Sequence, residues 1–550
     1  MNEPRVNVIP SNINLFNSTN TQTKSKEIKI PGGTFIKKEV ANLSSKDQLL
    51  FQRFGQGPIQ KVPYKLIHKA FEAQAYANPK CIAVEHLGKS ITYQELNNQA
   101  NKLAYYLSKQ GVSKGDNIGL FVKRSIPMVV GMLAILKVGA AYVPQYVGVT
   151  PEKQLLHIVD NADIKIILTL KGDTKGIPVV SSCTYIAIDE FIETNIEKDN
   201  IANAFECRDI ISSNDKAFLI FTSGTTGTPN GVQVSHCNVC NILLTAPGNL
   251  GMRPGLKVGQ ILNIAFDMMA WEVLGCLGNG ATLVIRGKDI EETVQKVDIV
   301  ISTPSILSTI DSEKCKNVKR VAVAGEPCPK TLADKWGAFS AFHNSCGPTE
   351  TTIVNTVQRY YPTDELLTIG KPTPNNTVYI LDKNLKPCPI GEIGEMWAGG
   401  DCVTLGYLGN SKLNKERYKP DPFLGNGRKM FRTRDLGRWT VNGELEHFGR
   451  TDDQVKIKGF RIELDSVSAI LESMPSCKRA VALKYDSKTL IAFVSPKSIV
   501  EEKAKQEILK SLPYFCVPDK IISMEELPMT SRGKIDKRKL LDTSKSIYNG

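Results

Sequence analysis

The sequence predicts an α/β protein, in which a large N-terminal region of layered strands and helices precedes a small α+β region. Apolar runs of strand length alternate with helical patterns between residues 66 and 212, as is typical of parallel sheets covered by helices. Glycines punctuate a β-like segment at residues 391–407, which predicts a small β-barrel. Helical patterns at 462–474 and 501–512 enclose strand-like residues at 480–494. We therefore expect layered α/β subdomains, a barrel and a compact α+β lid.

Length and composition exclude several classes of protein. A chain of 550 residues is too long for one ordinary domain and allows about two to four. Its 41% hydrophobic and 23% charged residues are typical of a soluble globular protein. It has no run of about 18 apolar residues, so we predict no membrane span. Thirteen scattered cysteines favour reduced thiols and a cytoplasmic location.

The N-terminal elements follow in order. Residues 1–40 are polar and lack the apolar core of a signal peptide, so we predict a flexible leader or linker. Residues 43–63 predict a short amphipathic helix and a loop, and residues 66–77 a second helix. Thr92 is placed to cap a third helix together with Glu95, three residues later.

The formal charge of +13 is compatible with nucleic acid, a membrane surface or an acidic protein partner. The lysines are spread along the chain, and no nucleic-acid motif is present. We therefore predict no nucleic acid or membrane partner. Solvated faces are the default explanation of the charge, and an acidic protein is the best functional one.

A strand-like run at residues 217–221 is followed by a loop of hydroxyls and glycines. The loop residues are Thr222, Ser223, Gly224, Thr225, Thr226 and Gly227. Glycines let backbone amides approach a ligand and hydroxyls add donors, so the loop suits a polyphosphate. The spacing is not that of a Walker loop, because no lysine follows the glycines. A polar surface loop is the alternative.

One cysteine pair, Cys237 and Cys240 after His236, has a spacing that can chelate zinc. A structural zinc site needs four ligands, and no second pair is visible. The segment has a helical pattern, so we expect one of the two cysteines to face the core.

The sequence Thr-Ser-Gly-Thr-Thr-Gly-x-Pro-x-Gly from Thr222 to Gly231 resembles the phosphate loop of adenylate-forming enzymes. These include acyl-CoA synthetases, luciferases and the adenylation domains of nonribosomal peptide synthetases. Further blocks similar to that family follow in order between residues 66 and 540, including Asn344–Glu350 and Gly449–Glu463. Residues 43–63 resemble the linker between a condensation and an adenylation domain.

The resemblance implies an adenylation core at 41–450, a mobile lid at 451–545 and a hinge at Asp452. It implies ATP and Mg²⁺ as cofactors, with Glu350 as the Mg²⁺ ligand. The implied catalytic residues are Lys534, Thr349 and Glu350. The implied nucleotide-binding residues are Thr222, Ser223, Gly224, Thr225, Thr226, Gly325, Glu326, Cys346, Asp435 and Arg450. The implied substrate pocket consists of Asp267, Met268, Trp271, Ile301, Ala322, Ala324, Ser345, Ile353 and Val354, together with Lys534.

Three positions depart from the family pattern. Asn230 replaces a lysine beside the phosphates, Cys346 replaces the tyrosine expected against adenine, and Arg434 stands where glycine is usual. A residue other than glycine is strained where the backbone needs a positive φ. Because Asp267 and Lys534 are retained, we expect activity with a weak affinity for ATP.

Asp267 decides the expected substrate class. A carboxylate in so apolar a segment is costly without a positive partner, and the resemblance assigns it to the substrate α-ammonium. A helix-capping role is the alternative. The remaining pocket positions are uncharged and several are small, so we expect a bulky neutral amino acid. An acylated N-hydroxyornithine, as in fungal siderophore synthesis, or an aromatic amino acid would fit.

Three functions follow from these observations. The first is an adenylation domain that acts as a monomer when excised, with an upstream condensation domain and a downstream carrier protein whose phosphopantetheine thiol receives the aminoacyl group. Both ends of the chain are expected to be cut from such a synthetase. The second is an acyl- or aryl-CoA ligase, which Asp267 and Trp271 disfavour. The third is a degenerate domain that only binds its neighbours, which the retained Lys534 disfavours.

Overall fold

The computed structural model describes residues 37–194, 205, 210–224, 228–425, 427–530 and 535–548. These residues belong to one compact unit, Phe35–Gly550. Thr225, Thr226 and Lys534, three of the predicted site residues, lie outside the described residues, as do residues 1–36 of the predicted leader. Lys37–Val40, at the end of that leader, form a 3₁₀-helix in which Val40 is buried.

The strands of the described residues are numbered in chain order. They are β1 (Ile82–His86), β2 (Lys89–Thr92), β3 (Asn117–Val122), β4 (Ala141–Tyr146), β5 (Ile166–Thr169), β6 (Thr184–Ala187), β7 (Lys216–Thr222), β8 (Asn230–Ser235), β9 (Lys257–Gln260), β10 (Thr282–Ile285), β11 (Ile299–Ser302), β12 (Arg320–Val323), β13 (Ala341–Cys346), β14 (Thr356–Tyr360), β15 (Lys371–Pro372), β16 (Asn376–Leu381), β17 (Gly394–Gly400), β18 (Gly406–Tyr407), β19 (Tyr418–Pro420), β20 (Lys429–Trp439), β21 (Leu445–Arg450), β22 (Gln454–Ile457), β23 (Phe460–Glu463), β24 (Arg479–Lys484), β25 (Leu490–Ser495) and β26 (Lys520–Ser523).

The helices are numbered in the same way. They are α1 (Ser45–Gly55), α2 (Ile67–Ala77), α3 (Tyr93–Lys109), α4 (Ile126–Lys137), α5 (Glu152–Asn161), α6 (Ile188–Thr194), α7 (His236–Leu244), α8 (Met268–Ala270), α9 (Cys276–Gly278), α10 (Ile290–Val294), α11 (Pro304–Leu307), α12 (Lys330–Gly337), α13 (Ser411–Arg417), α14 (Leu464–Glu472), α15 (Glu501–Ser511) and α16 (Lys537–Tyr548). A π-helical segment, Trp271–Gly275, joins α8 to α9. Short 3₁₀-helices also occur at Lys171–Gly176, Ser312–Cys315, Thr349–Thr351 and Tyr514–Cys516.

Two large mixed sheets form the N-terminal region, which confirms the predicted α/β layers. One has seven strands in the order β18-β8-β7-β4-β3-β5-β6, with β7, β4, β3, β5 and β6 parallel. The other has nine strands in the order β15-β14-β13-β12-β11-β9-β10-β1-β2, with β13 to β1 parallel. Helix α4, buried from Met128 to Lys137, belongs to the same hydrophobic cluster as residues of both sheets. Strands and helices buried on all sides carry continuous apolar runs.

Several local predictions are confirmed. Thr92 and Glu95 form a reciprocal capping box at the start of α3. Helix α1 covers most of the amphipathic segment, and its buried Phe51 packs in a cluster with Tyr379 and Trp397. In α7, Cys240 is fully buried, as expected for one cysteine of the pair.

The predicted barrel segment, residues 391–407, contributes β17 to a five-stranded antiparallel sheet, β16-β17-β20-β19, with β21 also paired to β20, whereas β18 of the same segment pairs with β8 in the seven-stranded sheet. Within the described ranges the pairing path of this sheet has open ends. Beyond it, the hairpin β22–β23 and the sheet β24-β25-β26 carry α14 and α15, as expected for the α+β lid. This region has its own core, which includes Ile462, Leu471 and Ile508.

None of the helices over the described part of the chain is long and apolar enough to cross a membrane.

Candidate active site

A cavity of about 960 Å³ lies along the carboxyl edge of the nine-stranded sheet. The ends of β9, β11, β12 and β13 contribute Asn263, Thr303, Gly325 and Cys346 to its lining, and β23 contributes Phe460. Loops at the carboxyl ends of parallel strands are the usual position of ligand sites in α/β proteins. The cavity is therefore the candidate active site.

Five of the residues predicted to bind nucleotide line this cavity. They are Gly325, Glu326, Cys346, Asp435 and Arg450. Gly325 follows β12 with a φ of +92°, a conformation that glycine adopts without strain. The Glu326 carboxylate accepts hydrogen bonds from the amide and the Oγ of Ser305, at 2.8 and 2.9 Å. Burial raises the pKa of the Cys346 thiol to about 11, so this position presents a neutral group.

Asp435 is a buried carboxylate on β20. Arg450 Nη1 donates to its Oδ1 at 2.8 Å, and His447 Nε2 lies 3.4 Å from the same atom. Burial raises the pKa of Asp435, but the His447 hydrogen bond and the Arg450 charge outweigh burial and hold the pKa well below its usual range. An ionised carboxylate is an acceptor-only group, as recognition of two ribose hydroxyls requires.

Asp452, the predicted hinge residue, lies between β21 and β22 and also lines the cavity. It is held by two arginines: Arg450 Nε and Nη2 donate to its two oxygens at 2.8 and 3.0 Å, and Arg434 Nη1 donates at 3.2 Å. Arg434 has a φ of +64°, which confirms the left-handed backbone expected at a position where glycine is usual.

Asp267 lines the cavity and is 9% exposed. It stands at the start of α8 but makes no side-chain capping bond, so the capping alternative does not hold. Its Oδ2 has no hydrogen-bond partner within the described residues. Burial and the charge of Glu350 raise the pKa of Asp267, while the Thr349 side chain and nearby amides lower it, and burial dominates. Among the described residues, no cation contributes to the environment of this carboxylate.

The nine predicted substrate-pocket residues divide into two groups. Asp267, Met268, Ala324, Ser345 and Ile353 line the cavity. Trp271, Ile301, Ala322 and Val354 are fully buried in the core behind its wall. The Trp271 ring is fixed there because its Nε1 donates to Gly248 O at 2.6 Å. The first group can contact a ligand directly, whereas the second supports the wall.

The described part of the predicted phosphate loop lines a second cavity of about 110 Å³. Thr222, Ser223 and Gly224 border it together with Thr349 and Arg461, and Thr349 and Arg461 also line the main cavity. Ser223 Oγ donates to Arg461 O at 3.1 Å. Asn230, which stands where the family pattern has lysine, accepts a hydrogen bond of 3.0 Å at its Oδ1 from Asn410 Nδ2.

Glu350 is fully buried and already has partners for both carboxylate oxygens. Arg461 Nη1 donates to Oε2 at 3.0 Å, Arg461 Nη2 lies 3.4 Å from Oε1, and Tyr407 Oη donates to Oε1 at 2.6 Å. Burial raises the pKa of Glu350, but the charges of Arg461 and Arg417 outweigh it and lower the pKa to about 2. A carboxylate suits Mg²⁺ chemically, but with Arg461 in this position Glu350 does not fit a metal.

A model of the AMP-binding enzyme family matches residues 71–408. The chain belongs to this family. It is 47% identical over 502 residues to adenylate-forming reductase 06235 of Coprinopsis cinerea, in a match that covers 91% of this chain and 48% of that protein. It is 32% identical over 492 residues to gramicidin S synthase 1 of Brevibacillus brevis, in a match that covers 86% of this chain and 44% of that protein. The chain thus spans about half the length of these relatives.

Among solved structures, the adenylation–PCP di-domain NpsA-ThdA from Klebsiella oxytoca, an artificial fusion, is similar with a TM-score of 0.74. The identity is 23%, and the match covers 84% of this chain and 94% of that one. This likeness shows the fold, which is that of an adenylation domain. The family itself is shown by the match to the AMP-binding enzyme model.

In this AMP-binding enzyme the hairpin β22–β23 enters the site, which sequence reasoning did not foresee. The Gly459 amide donates to Glu326, and Phe460 stacks on Phe515 with ring centroids 4.2 Å apart. Phe266, beside Asp267, lies 5.7 Å from the Phe460 ring. A Cβ on Gly459 would stand 2.8 Å from Thr303 Cγ2. The run Lys458-Gly459-Phe460-Arg461 was the available signal, because it joins a turn glycine to an aromatic and a basic residue.

Proposed function

We propose that this domain activates an amino acid with ATP, forming an aminoacyl-adenylate, and transfers the aminoacyl group to the phosphopantetheine thiol of a carrier protein. The family membership supports adenylate formation. The amino-acid substrate and the carrier thiol go beyond that membership.

The observation that carries the proposal is the buried carboxylate of Asp267, whose Oδ2 has no hydrogen-bond partner among the described residues. A buried acid without a counter-charge is unfavourable unless a ligand supplies one. The α-ammonium of an amino acid is such a counter-charge, whereas a fatty or aryl acid offers none. Asp267 shares its cavity with Asp435, the ionised carboxylate suited to a ribose, so an amino acid and a nucleotide can occupy one space.

The first step needs no general base. An oxygen of the substrate carboxylate attacks the α-phosphorus of ATP, the bond to pyrophosphate breaks, and aminoacyl-AMP forms. The nucleophile is already ionised, so catalysis consists mainly of positioning and charge neutralisation. Asp267 would orient the amino acid and Asp435 the ribose, and Lys534 is the predicted cation at the reacting groups.

In the second step the sulfur of a phosphopantetheine thiol attacks the acyl carbon and the thiol loses its proton. The bond between the acyl carbon and the phosphate oxygen breaks, so a thioester forms and AMP leaves. The described arrangement favours this step over the first, because Arg461 covers Glu350 and the hairpin with Gly459 and Phe460 lines the cavity. A rotation about Asp452 that withdraws Arg461 would be required before Glu350 could take another partner. Domain movements of this kind control the catalytic steps of many enzymes.

The substrate side chain is proposed to be bulky and neutral, as in an aromatic amino acid or an acylated hydroxyornithine. Ala324 and Ser345, both small, form part of the cavity wall and leave room beside Asp267. The name of the Coprinopsis relative couples adenylate formation to a reductase. This favours reductive release of the acyl group by a neighbouring domain as the alternative to peptide-bond formation.

The test is acid-dependent ATP–pyrophosphate exchange over a panel of amino acids, fatty acids and aryl acids. We expect exchange with one bulky neutral amino acid, and loss of exchange in Asp267→Ala and Lys534→Ala. Exchange driven by a fatty or aryl acid and unchanged in Asp267→Ala would contradict amino-acid activation and favour a CoA ligase. Intact ATP binding without exchange for any acid would favour a binding-only domain.

A further inference from the structure

Two arginines line the main cavity at the end of β10, away from the groups assigned above. Arg286 directly follows β10, and Arg124 lies between β3 and α4, so the pair joins the two large sheets. Tyr146, the last residue of β4, lies beneath Arg124, whose guanidinium carbon is 5.1 Å from the ring centroid. This end of the cavity is therefore cationic.

Arg286 has no ion pair and no side-chain hydrogen bond with any described residue, and its Nε is buried without a partner. Arg124 Nη2 donates to the carbonyls of Ile261 and Leu262, at 3.2 and 2.7 Å, but its Nε is also buried without a partner. Burial and the charge of Arg124 lower the pKa of Arg286. Two unsatisfied guanidinium N–H groups at one cavity end lack only an acceptor.

The neighbouring titratable groups do not supply that acceptor. The carboxylate of Glu272 is engaged by the backbone amides of Ile261 and Leu262 and by Gln260. Burial raises the pKa of Glu272 to about 8, although the charge of Arg124 opposes this. Burial also lowers the pKa of His86. Among the described residues, no carboxylate accepts a hydrogen bond from the side chain of either arginine.

We propose that Arg124 and Arg286 form an anion-binding subsite that holds the phosphate of the phosphopantetheine arm while its thiol reaches the acyl group. This inference rests on the proposed function. In the nine-stranded sheet β10 lies three strand spacings from β12, where Ala324 borders the acyl pocket. At about 4.8 Å per spacing this is about 14 Å, which is farther than an amino-acid side chain extends.

The cavity lining also includes apolar side chains, which suit the middle of such an arm. Phe266, Phe460 and Ile306 are among them. A ligand with a thiol at one end and a phosphate at the other can use both the apolar and the cationic parts of this lining. The alternative source of the anion is a carboxylate on a long substrate side chain.

The experiment measures the binding of S-methyl phosphopantetheine and of S-methyl pantetheine to the full 550-residue chain by calorimetry, which requires no catalysis. In the unmodified protein we expect the phosphorylated compound to bind about tenfold more tightly, as for one charge-assisted hydrogen bond. In Arg286→Gln this ratio should fall to about one. Lys288→Gln is the matched control, because Lys288 is exposed and does not line the main cavity.

Three results would overturn the assignment. The first is an unchanged ratio in Arg286→Gln, and the second is no preference in the unmodified protein. The third is a change in which acids drive ATP–pyrophosphate exchange in Arg286→Gln, which would assign the arginine to a substrate carboxylate. Unchanged exchange and an unchanged melting temperature would show that the variant is folded. Failure of exchange with every acid would count against the proposed function. The ratio of the two affinities measured by calorimetry would still test phosphate binding at the arginines, because it requires no catalysis.

Discussion

The ion pair between Glu350 and Arg461 should be one of the strongest single contacts between the C-terminal hairpin and the core. The side chain of Glu350 is 1% exposed and that of Arg461 is 16% exposed. Replacing Arg461 by Gln would leave a buried carboxylate without its counter-charge. Breaking a buried pair by removing one partner costs about 3–5 kcal/mol, far more than the loss of a surface pair.

The pKa of Glu350 gives an independent magnitude. It falls from its ordinary 4.5 to about 2, although burial alone would raise it. At about 1.4 kcal/mol for each pH unit, this corresponds to about 3 kcal/mol in favour of the ionised carboxylate. The charge of Arg461 is the largest of the contributions that lower the pKa, followed by the charge of Arg417.

A double-mutant cycle measures the coupling. Urea unfolding at pH 7 without nucleotide would be followed by circular dichroism for Arg461→Gln, Glu350→Gln and the double variant. We expect a coupling energy of about 3 kcal/mol. Arg438 and Glu446 form the matched control, an ion pair of 2.6 Å whose arginine is 40% exposed, and its cycle should give about 0–1 kcal/mol. Equal coupling in the two cycles would refute the reasoning.

Two further predictions concern stability. The pKa of Glu350 in the folded protein is about 2, so between pH 4.5 and 2 the unfolded chain binds a proton at Glu350 that the folded chain does not. As the pH falls through this window, the free energy of unfolding should drop by about 3 kcal/mol more than in Glu350→Gln. Equal losses in the two proteins would contradict the assignment. Gly459→Ala should lower the free energy of unfolding by about 1–3 kcal/mol more than Gly449→Ala. Both glycines have a positive φ, but only at Gly459 would a Cβ meet another residue, Thr303. Equal losses of stability in urea unfolding would contradict this.

Elements with local causes could be predicted from the sequence. The strand at residues 217–221 is an unbroken apolar run, and it appears as β7. The capping box of Thr92 and Glu95 depends on two residues three positions apart. In both cases the information lies within a few neighbouring residues. The positive φ of Arg434, which lies within β20, was expected because the family pattern has glycine at this position.

The parts of the site that depend on packing between distant segments could not be predicted. Trp271 was expected to line the substrate pocket, but the π-helical turn and its bond to Gly248 O place it behind the wall. Glu350 was assigned to Mg²⁺ from its position in a motif. The residues around it do not indicate that Arg461, 111 residues later in the chain, would donate hydrogen bonds to its carboxylate. The guanidinium of Arg286 belonged to no motif at all, and only the packing of the two large sheets brings it to the cavity beside Arg124.

The most direct test of the account compares an amino acid with its des-amino analogue in ATP–pyrophosphate exchange. The pair would be the amino acid that gives the highest exchange in the panel and the same acid lacking its α-ammonium. The unmodified protein should prefer the amino acid by about a hundredfold or more, because the ammonium neutralises a buried carboxylate. Asp267→Asn keeps the shape and removes the charge, so this preference should collapse to within about tenfold. A preference that survives in Asp267→Asn would contradict the assignment of Asp267 to the substrate ammonium.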